Sequence, residues 1–264
     1  MTGTEDLTFE LVDATAIVTM NRPEAKNALS LPMLVGMADA WVEIDSNDAI
    51  RCAILTGAGG TFCSGMDLKS MSSPEAERYQ HRQKEDPDLH WKALLRHYYL
   101  KKPLIAAVEG PALGGGLEIV LACDLVVAAS TARFGLPEVH IGVVPTCAGL
   151  FRAPRALPLN IAKQLILTGR PIEAGRAYEV GFVNILTAPG EALAEAVSLA
   201  QQLCENAPVS VQACLAAVND IVGAEDQLGW QETQQALTAA IGSEDAREGV
   251  RAFLEKRPPV WTGR

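Results

Sequence analysis

Positive charge is scarce in this chain: 22 Lys and Arg stand against 32 Asp and Glu, a formal net charge of −10. Binding phosphate backbones or anionic lipid takes clustered cations. That excludes a broad nucleic-acid or membrane surface, whereas a small phosphorylated ligand needs only a few local cations. Long apolar runs are also missing, since the most apolar stretch, Ile119 to Ala129, is broken by Asp124, and no membrane span is expected. The first residues, Met1-Thr-Gly-Thr-Glu-Asp6, are acidic and hold no apolar core of a secretory signal, which predicts a cytoplasmic protein. The six cysteines (Cys52, Cys63, Cys123, Cys147, Cys204 and Cys214) include no C-x-x-C pair, so buried reduced thiols are expected rather than a disulfide frame or a zinc site. His81, His90, His97 and His140 lack metal-ligand spacing, and no metal is expected. A G-x-S-x-G elbow is absent, and the third glycine of a dinucleotide fingerprint beginning at Gly114 would fall on Ile119, which argues against a serine hydrolase and a nicotinamide enzyme.

What is present is enough apolar material, 48% of 264 residues, for one large domain or a domain with an appendage. Leu7 to Leu11 and Ala16 to Met20 read as strands about a turn at Asp13-Ala14. Ser30, with Pro32 two residues on, predicts a cap and first helical turn, and Leu34, Met37, Ala38, Trp41 and Ile44 give that helix an apolar face to about Asp45. Cys52 to Thr56 is a buried strand. The polar stretch over 70–90 predicts a mobile surface segment that can serve as a lid. Leu89 to Leu100 reads as a helix, Leu104 to Val108 and Asp124 to Ala129 as strands, and 149–156 and 159–168 as helices. Further on come a helix at Glu173 to Val180, a strand at Phe182 to Leu186, helices at Glu191 to Glu205 and from Pro208, and a third helical region from Asp226 to Glu255. Strands alternating with helices, then helices alone, make an α/β core with a helical C-terminal portion.

The chemistry concentrates where the strand ending at Val108 runs through Gly114-Gly115-Gly116 into a helix bearing Glu118. Three glycines let backbone turn sharply and approach another atom closely, and free N–H groups at a helix start face negative charge. A thioester oxygen becoming an enolate fits there; a tight turn without a ligand is the alternative. Glu118, within Leu117-Glu-Ile-Val-Leu-Ala122, is expected to be buried, either as an acid/base group with a raised pKa or in a salt bridge to a core Arg. Glu138, behind Gly135-Leu-Pro137, is either its partner across one water or a surface glutamate. Phe62-Cys-Ser-Gly-Met-Asp67 supplies a second backbone donor if Gly65 turns the Met66 N–H inward. Cys63 and Ser64 have no histidine placed as a base, so neither is expected to be a nucleophile.

Taken together, Asn21-Arg-Pro-Glu-Ala-Lys-Asn-Ala-Leu-Ser30, Phe62-Cys-Ser-Gly-Met-Asp67, Ala106 through Glu118, Cys123-Asp124 and Phe134-Gly-Leu-Pro-Glu138 resemble the crotonase superfamily of enoyl-CoA hydratases and isomerases. The resemblance covers nearly the whole chain. It implies a crotonase-like spiral of β-β-α units, with residues 1–200 as the core carrying the acyl-CoA site and 201–264 as a helical region that builds a homotrimer or a dimer of trimers. It also implies an oxyanion hole at the Met66 and Gly115 amides. Glu118 then activates water and Glu138 supplies the α proton in the hydration of a trans-2-enoyl-CoA, with coenzyme A thioester as substrate and no further cofactor. Coenzyme A is expected against Glu24, Ala25, Lys26, Ser64 and Asp67, and against Phe253 and Lys256 of the C-terminal helix, from the same or a neighbouring subunit. Trp91, Tyr98 and Tyr99 are expected to shape the acyl pocket. One departure stands out: Thr146-Cys147-Ala148-Gly149 replaces the Gly-Ala-Gly-Gly turn of the hydratases, with Cys147 read as packing. Isomerisation, carnitinyl-type dehydration and a non-catalytic acyl-CoA binding protein are the alternatives on the same scaffold.

Overall fold

A computed structural model describes residues 3–67, 77 and 79–264. Most of the 70–78 part of the expected lid lies outside them. The chain opens with a hairpin of β1 (Leu7–Val12) and β2 (Thr15–Met20), turned at Asp13, whose φ is +53°. Helix α1 (Leu31–Ser46) follows, capped by the Ser30 hydroxyl, which accepts the Met33 N–H at 3.2 Å. Then come β3 (Cys52–Gly57), the short helices α2 (Gln80–Glu85) and α3 (Leu89–Ala93), and β4 (Leu104–Val108). β5 (Pro111–Leu113), α4 (Gly115–Val120), β6 (Leu125–Ala129) and β7 (Arg133–Gly135) lead to a 3-10 turn at Pro137–Ile141. After it run α5 (Gly149–Ala156), α6 (Leu159–Thr168), β8 (Ile172–Glu173), α7 (Ala174–Glu179) and β9 (Ile185–Thr187). Four helices end the chain: α8 (Ala192–Cys204), α9 (Pro208–Gly223), α10 (Asp226–Ile241) and α11 (Glu244–Glu255).

The main sheet runs β1-β2-β3-β4-β6-β9, antiparallel only at β1–β2 and parallel from β2 onward. A second, smaller sheet runs β5-β7-β8. Three strands of the parallel core hand the chain to the small sheet: β4 to β5, β6 to β7, and β3 to Cys63, which bridges Ala112. Repetition of that step is the spiral. Parallel strands are covered on both faces and so read as unbroken apolar runs. In β3 and β4, Leu55 and Ala106 face the larger core with Trp41 of α1, while Ile54 and Ile105 face Ala192, Ala196 and Ala200 of α8. Those alanines repeat every four residues, one helical face, and residue 200 therefore falls inside a helix seated on the sheet.

Three expected elements differ from the structure. The helix from Leu89 stops at Ala93, and Leu95 turns to φ +51°, its carbonyl taken at 2.9 Å by the Arg152 guanidinium rather than by a helical amide. The strand expected from Phe182 begins at Ile185, because the Phe182 and Val183 amides close α7 on the Ala177 carbonyl while Phe182 packs edge-on against Phe134 at 5.2 Å. The region from Asp226 to Glu255 is two helices, parted where Ser243 caps α11 by accepting the Ala246 N–H at 2.9 Å.

Candidate active site

Gly114, at φ +54° and ψ −127°, lets the chain turn from β5 into α4, a conformation that side chains with a Cβ avoid. Two residues on, a Cβ at Gly116 would stand 2.5 Å from the Cys63 carbonyl oxygen. The start of α4 is thus pressed against the Phe62–Gly65 segment. Leu29 brackets the next residue on that segment: its N–H donates to the Gly65 carbonyl at 2.8 Å and its carbonyl accepts the Asp67 N–H at 3.1 Å. The Met66 amide between them, like the Gly115 amide, has no partner among the described residues. Both residues line one cavity of about 600 Å³.

Glu118 lies in the first turn of α4, only 3% exposed. One carboxylate oxygen, Oε1, accepts the Cys147 N–H at 2.6 Å and the Gly149 N–H at 2.9 Å. Burial raises its pKa to about 7 against the pull of those amides and of Arg152 and Arg96. Of the two readings open for it, the salt bridge to a core arginine is not formed: no arginine is within salt-bridge distance of Glu118 among the described residues. Glu138 sits in the 3-10 turn with a buried Oε2 that finds no partner among the described residues. Burial raises its pKa further, to about 8, with the charge of Glu118 adding to the effect. Two carboxyl groups thus share a cavity wall, one held by two amides of a neighbouring turn and the other offered only its own backbone amide.

Met66, Gly115, Glu118, Glu138, Ser64 and Phe253 all line this cavity. Glu24, Ala25, Lys26, Asp67 and Lys256 do not. The Glu24–Lys26 turn touches the rim through Ser64, whose N–H donates to the Lys26 carbonyl at 3.1 Å. Asp67 is paired with Arg22 at 3.0 Å, which ties two loops together. Lys256 ends α11 in the left-handed conformation. Trp91, Tyr98 and Tyr99 are also off the wall, and Leu94 is what their stretch contributes. The reason is polar pairing: Trp91 stacks on the Arg96 guanidinium at 3.9 Å, while the Tyr98 and Tyr99 hydroxyls donate to Asp45 and Asp226.

Sequence reasoning missed two features, and left open which subunit supplies the C-terminal helix. Helix α11 of the same chain roofs the cavity with Gly249, Ala252 and the expected Phe253. The first missed feature is that the amides holding Glu118 come from the altered turn itself, where Ala148 takes φ +79°. The second is that Arg96 and Arg152, 56 positions apart, are both buried and act on Glu118 and Cys147 without lining the cavity. The Cys147 thiol is buried and held well above its ordinary pKa by burial and by Glu118, which fits packing.

Comparison with known proteins adds to this geometry. Residues 10–264 match the family described as Enoyl-CoA hydratase/isomerase. Enoyl-CoA hydratase EchA19 of Mycobacterium tuberculosis is 41% identical over 251 residues, 95% of this chain and 94% of that protein. Mevalonyl-coenzyme A hydratase SIDH of Beauveria bassiana is 38% identical over 255 residues, covering 93% and 90%. A crystal structure of carnitinyl-CoA hydratase from Mycobacterium avium superposes with a TM-score of 0.90 at 37% identity, covering 98% of this chain and 99% of the other. Fold and sequence agree, and the chain belongs to the enoyl-CoA hydratase/isomerase family of the crotonase superfamily.

Proposed function

We propose that this protein is an enoyl-CoA hydratase adding water reversibly and syn across a trans-2-enoyl-CoA to give a 3-hydroxyacyl-CoA. The observation that carries the reading is a buried Glu118 carboxyl and a partly buried Glu138 carboxyl on the wall that also holds the Met66 and Gly115 amides, free among the described residues. The thioester oxygen sits between those amides and gathers charge as the C2–C3 double bond is attacked. A single such donor is worth about 3 kcal/mol of barrier in a dry site. Glu118, kept ionised by two amides and neighbouring guanidinium groups, takes a proton from water as its oxygen bonds to C3. Glu138, kept protonated by burial, delivers a proton to C2. Each transfer contributes on the order of 10² to 10⁴ in rate. The groups emerge with protonation exchanged, and solvent resets them.

Coenzyme A thioester is the substrate in this reading, and addition of water needs no redox or metal step. The nucleotide end leaves past Ser64 toward the Glu24–Lys26 turn, with Phe253 on the opposite rim and Lys256 and Asp67 farther out. Exposed Val218, Ile221 and Val222 on one face of α9 support assembly of residues 201–264 into a homotrimer or a dimer of trimers. A cytoplasmic role in fatty-acid β-oxidation accompanies the reading. Double-bond isomerisation or dehydration of a hydroxylated acyl-CoA is the second reading, favoured by likeness to proteins named as carnitinyl-CoA dehydratase at 37% identity. Crotonyl-CoA in isotopically labelled water decides between them. Hydration consumes the enoyl absorbance and places solvent oxygen on C3; turnover without labelled oxygen refutes it, and coenzyme A binding without turnover points to a non-catalytic binding protein.

A further inference from the structure

Five buried side-chain polar atoms lack a hydrogen-bond partner among the described residues. Glu138 Oε2 is one and faces the cavity. The other four belong to Arg96 (Nε), Arg152 (Nη1), His90 (Nδ1) and Thr233 (Oγ1). Unpaired buried donors are expensive, and native proteins keep few of them without a use.

Their placement gives them one. Arg96 is 9% exposed and Arg152 6% exposed. The Arg96 guanidinium is sandwiched by Trp91 at 3.9 Å and Trp230 at 4.7 Å, which fixes the plane of its fork. Neither arginine has a carboxylate within salt-bridge distance among the described residues; Arg152 spends one N–H on the Leu95 carbonyl at 2.9 Å. Neither arginine lines the cavity itself, but both guanidinium groups lie within electrostatic reach of Glu118 and the Cys147 thiol, which do, and Leu94, two residues from Arg96, is on the wall. Along α10, Leu237 lines the cavity, Thr233 one turn back is fully buried, and Trp230 another turn back covers Arg96. Residues three and four apart share a helix face, so that face runs from the cavity to the arginines.

Charge sharpens the point. Two guanidinium groups face one ionised carboxylate, since Glu138 holds its proton, and the exposed Asp88 acts on Arg96 only from a distance. A buried cluster with one cation in excess has room for one anion. A forked, stacked guanidinium suits a carboxylate, which accepts two parallel N–H bonds. We propose that Arg96, with Arg152 behind it, receives a carboxylate at the distal end of the acyl chain, so that the preferred substrate is the coenzyme A thioester of an unsaturated dicarboxylic acid. This rests on the acyl-CoA reading above and narrows its substrate class.

The test separates charge recognition from chemistry by using saturated, unreactive thioesters. Glutaryl-, adipyl- and pimelyl-CoA are each titrated calorimetrically against the neutral thioester of equal carbon number, pentanoyl-, hexanoyl- and heptanoyl-CoA. At one length or more the carboxylated ligand is expected to bind at least tenfold tighter, and Arg96→Met or Arg152→Met to erase that difference. Arginines that merely kept Glu118 ionised would move both ligands of a pair alike. Equal or weaker binding of the carboxylated ligand at every length overturns the proposal, as does a preference that survives both substitutions. The wild-type comparison decides by itself where a variant fails to fold. Failure of the hydratase reading shows separately, as crotonyl-CoA left unhydrated by an enzyme that still discriminates the thioester pairs.

Discussion

Glu118 and Glu138 reach the same cavity from opposite kinds of backbone. Glu118 stands in the first turn of α4, in a run of apolar residues, with two amides closed on one oxygen. Glu138 stands in a 3-10 turn after Pro137, close to α11, with one oxygen buried and unbonded. Burial raises both pKa values, but Glu118 has two amides and two guanidinium groups that favour its anion, whereas Glu138 has only its own backbone amide. In the proposed reaction that difference divides two identical side chains into base and acid: more hydrogen bonds and nearby cations favour the charged form, and fewer favour the neutral one.

Removing each carboxylate is the most direct way to break that comparison. Glu118→Gln is expected to lower kcat for crotonyl-CoA by about 10³, since an amide cannot accept the water proton, and Glu138→Gln by about 10², since an enolate can take its proton from solvent. Steady-state kinetics beside butyryl-CoA affinity checks this; equal losses, or a larger one for Glu138→Gln, would reverse the assignment.

A smaller change moves the base without removing it. A Cβ at Gly149 would lie 2.7 Å from the Pro145 Cβ and 3.0 Å from Glu118 Oε1. Gly149→Ala is therefore expected to displace both the carboxylate and the amide that holds it, lowering kcat about tenfold to a hundredfold with butyryl-CoA affinity kept. Gly175→Ala, in α7 where a Cβ meets nothing within 4 Å, is the control. Loss of affinity without loss of kcat in Gly149→Ala would mean that this turn shapes the pocket rather than the base.

The same contrast runs through what the sequence made legible. The Gly114–Glu118 half of the site could be read because its demands are local: a positive φ and a close approach call for glycine, and a carboxylate among apolar residues announces burial. The long strands and α1 were equally plain, since periodicity and the Ser30 cap are local signals. The other half is built from distant groups. Amides of Cys147 and Gly149 hold Glu118, and a backbone donor has no residue type to betray it. Glycine ordinarily weakens a helix, yet a Cβ at Gly249 would meet the Ile141 carbonyl oxygen at 2.3 Å, so Gly249 is the contact that seats α11 beside the Glu138 turn. Three-residue strands such as β5 and β7 are too short to carry a period, and Arg96 and Arg152 meet only through tertiary packing.

Stability offers the gentlest measurement of the Glu138 carboxyl. Glu138 titrates near 4.5 when solvated and about 8 when folded, so between those values the native state keeps a proton that the unfolded chain has lost. Its contribution to stability is therefore full below about 4.5 and declines as pH rises through the folded value, beyond which it is flat. Glutamine carries no such proton. Glu138→Gln is expected to match the wild type at pH 4.5, where both side chains are neutral, and to exceed it in Tm by on the order of 10 °C at pH 8.5, read by thermal unfolding at the two values. A Tm difference independent of pH would mean that the folded protein already holds Glu138 as an anion, and the role of acid would then pass to another group.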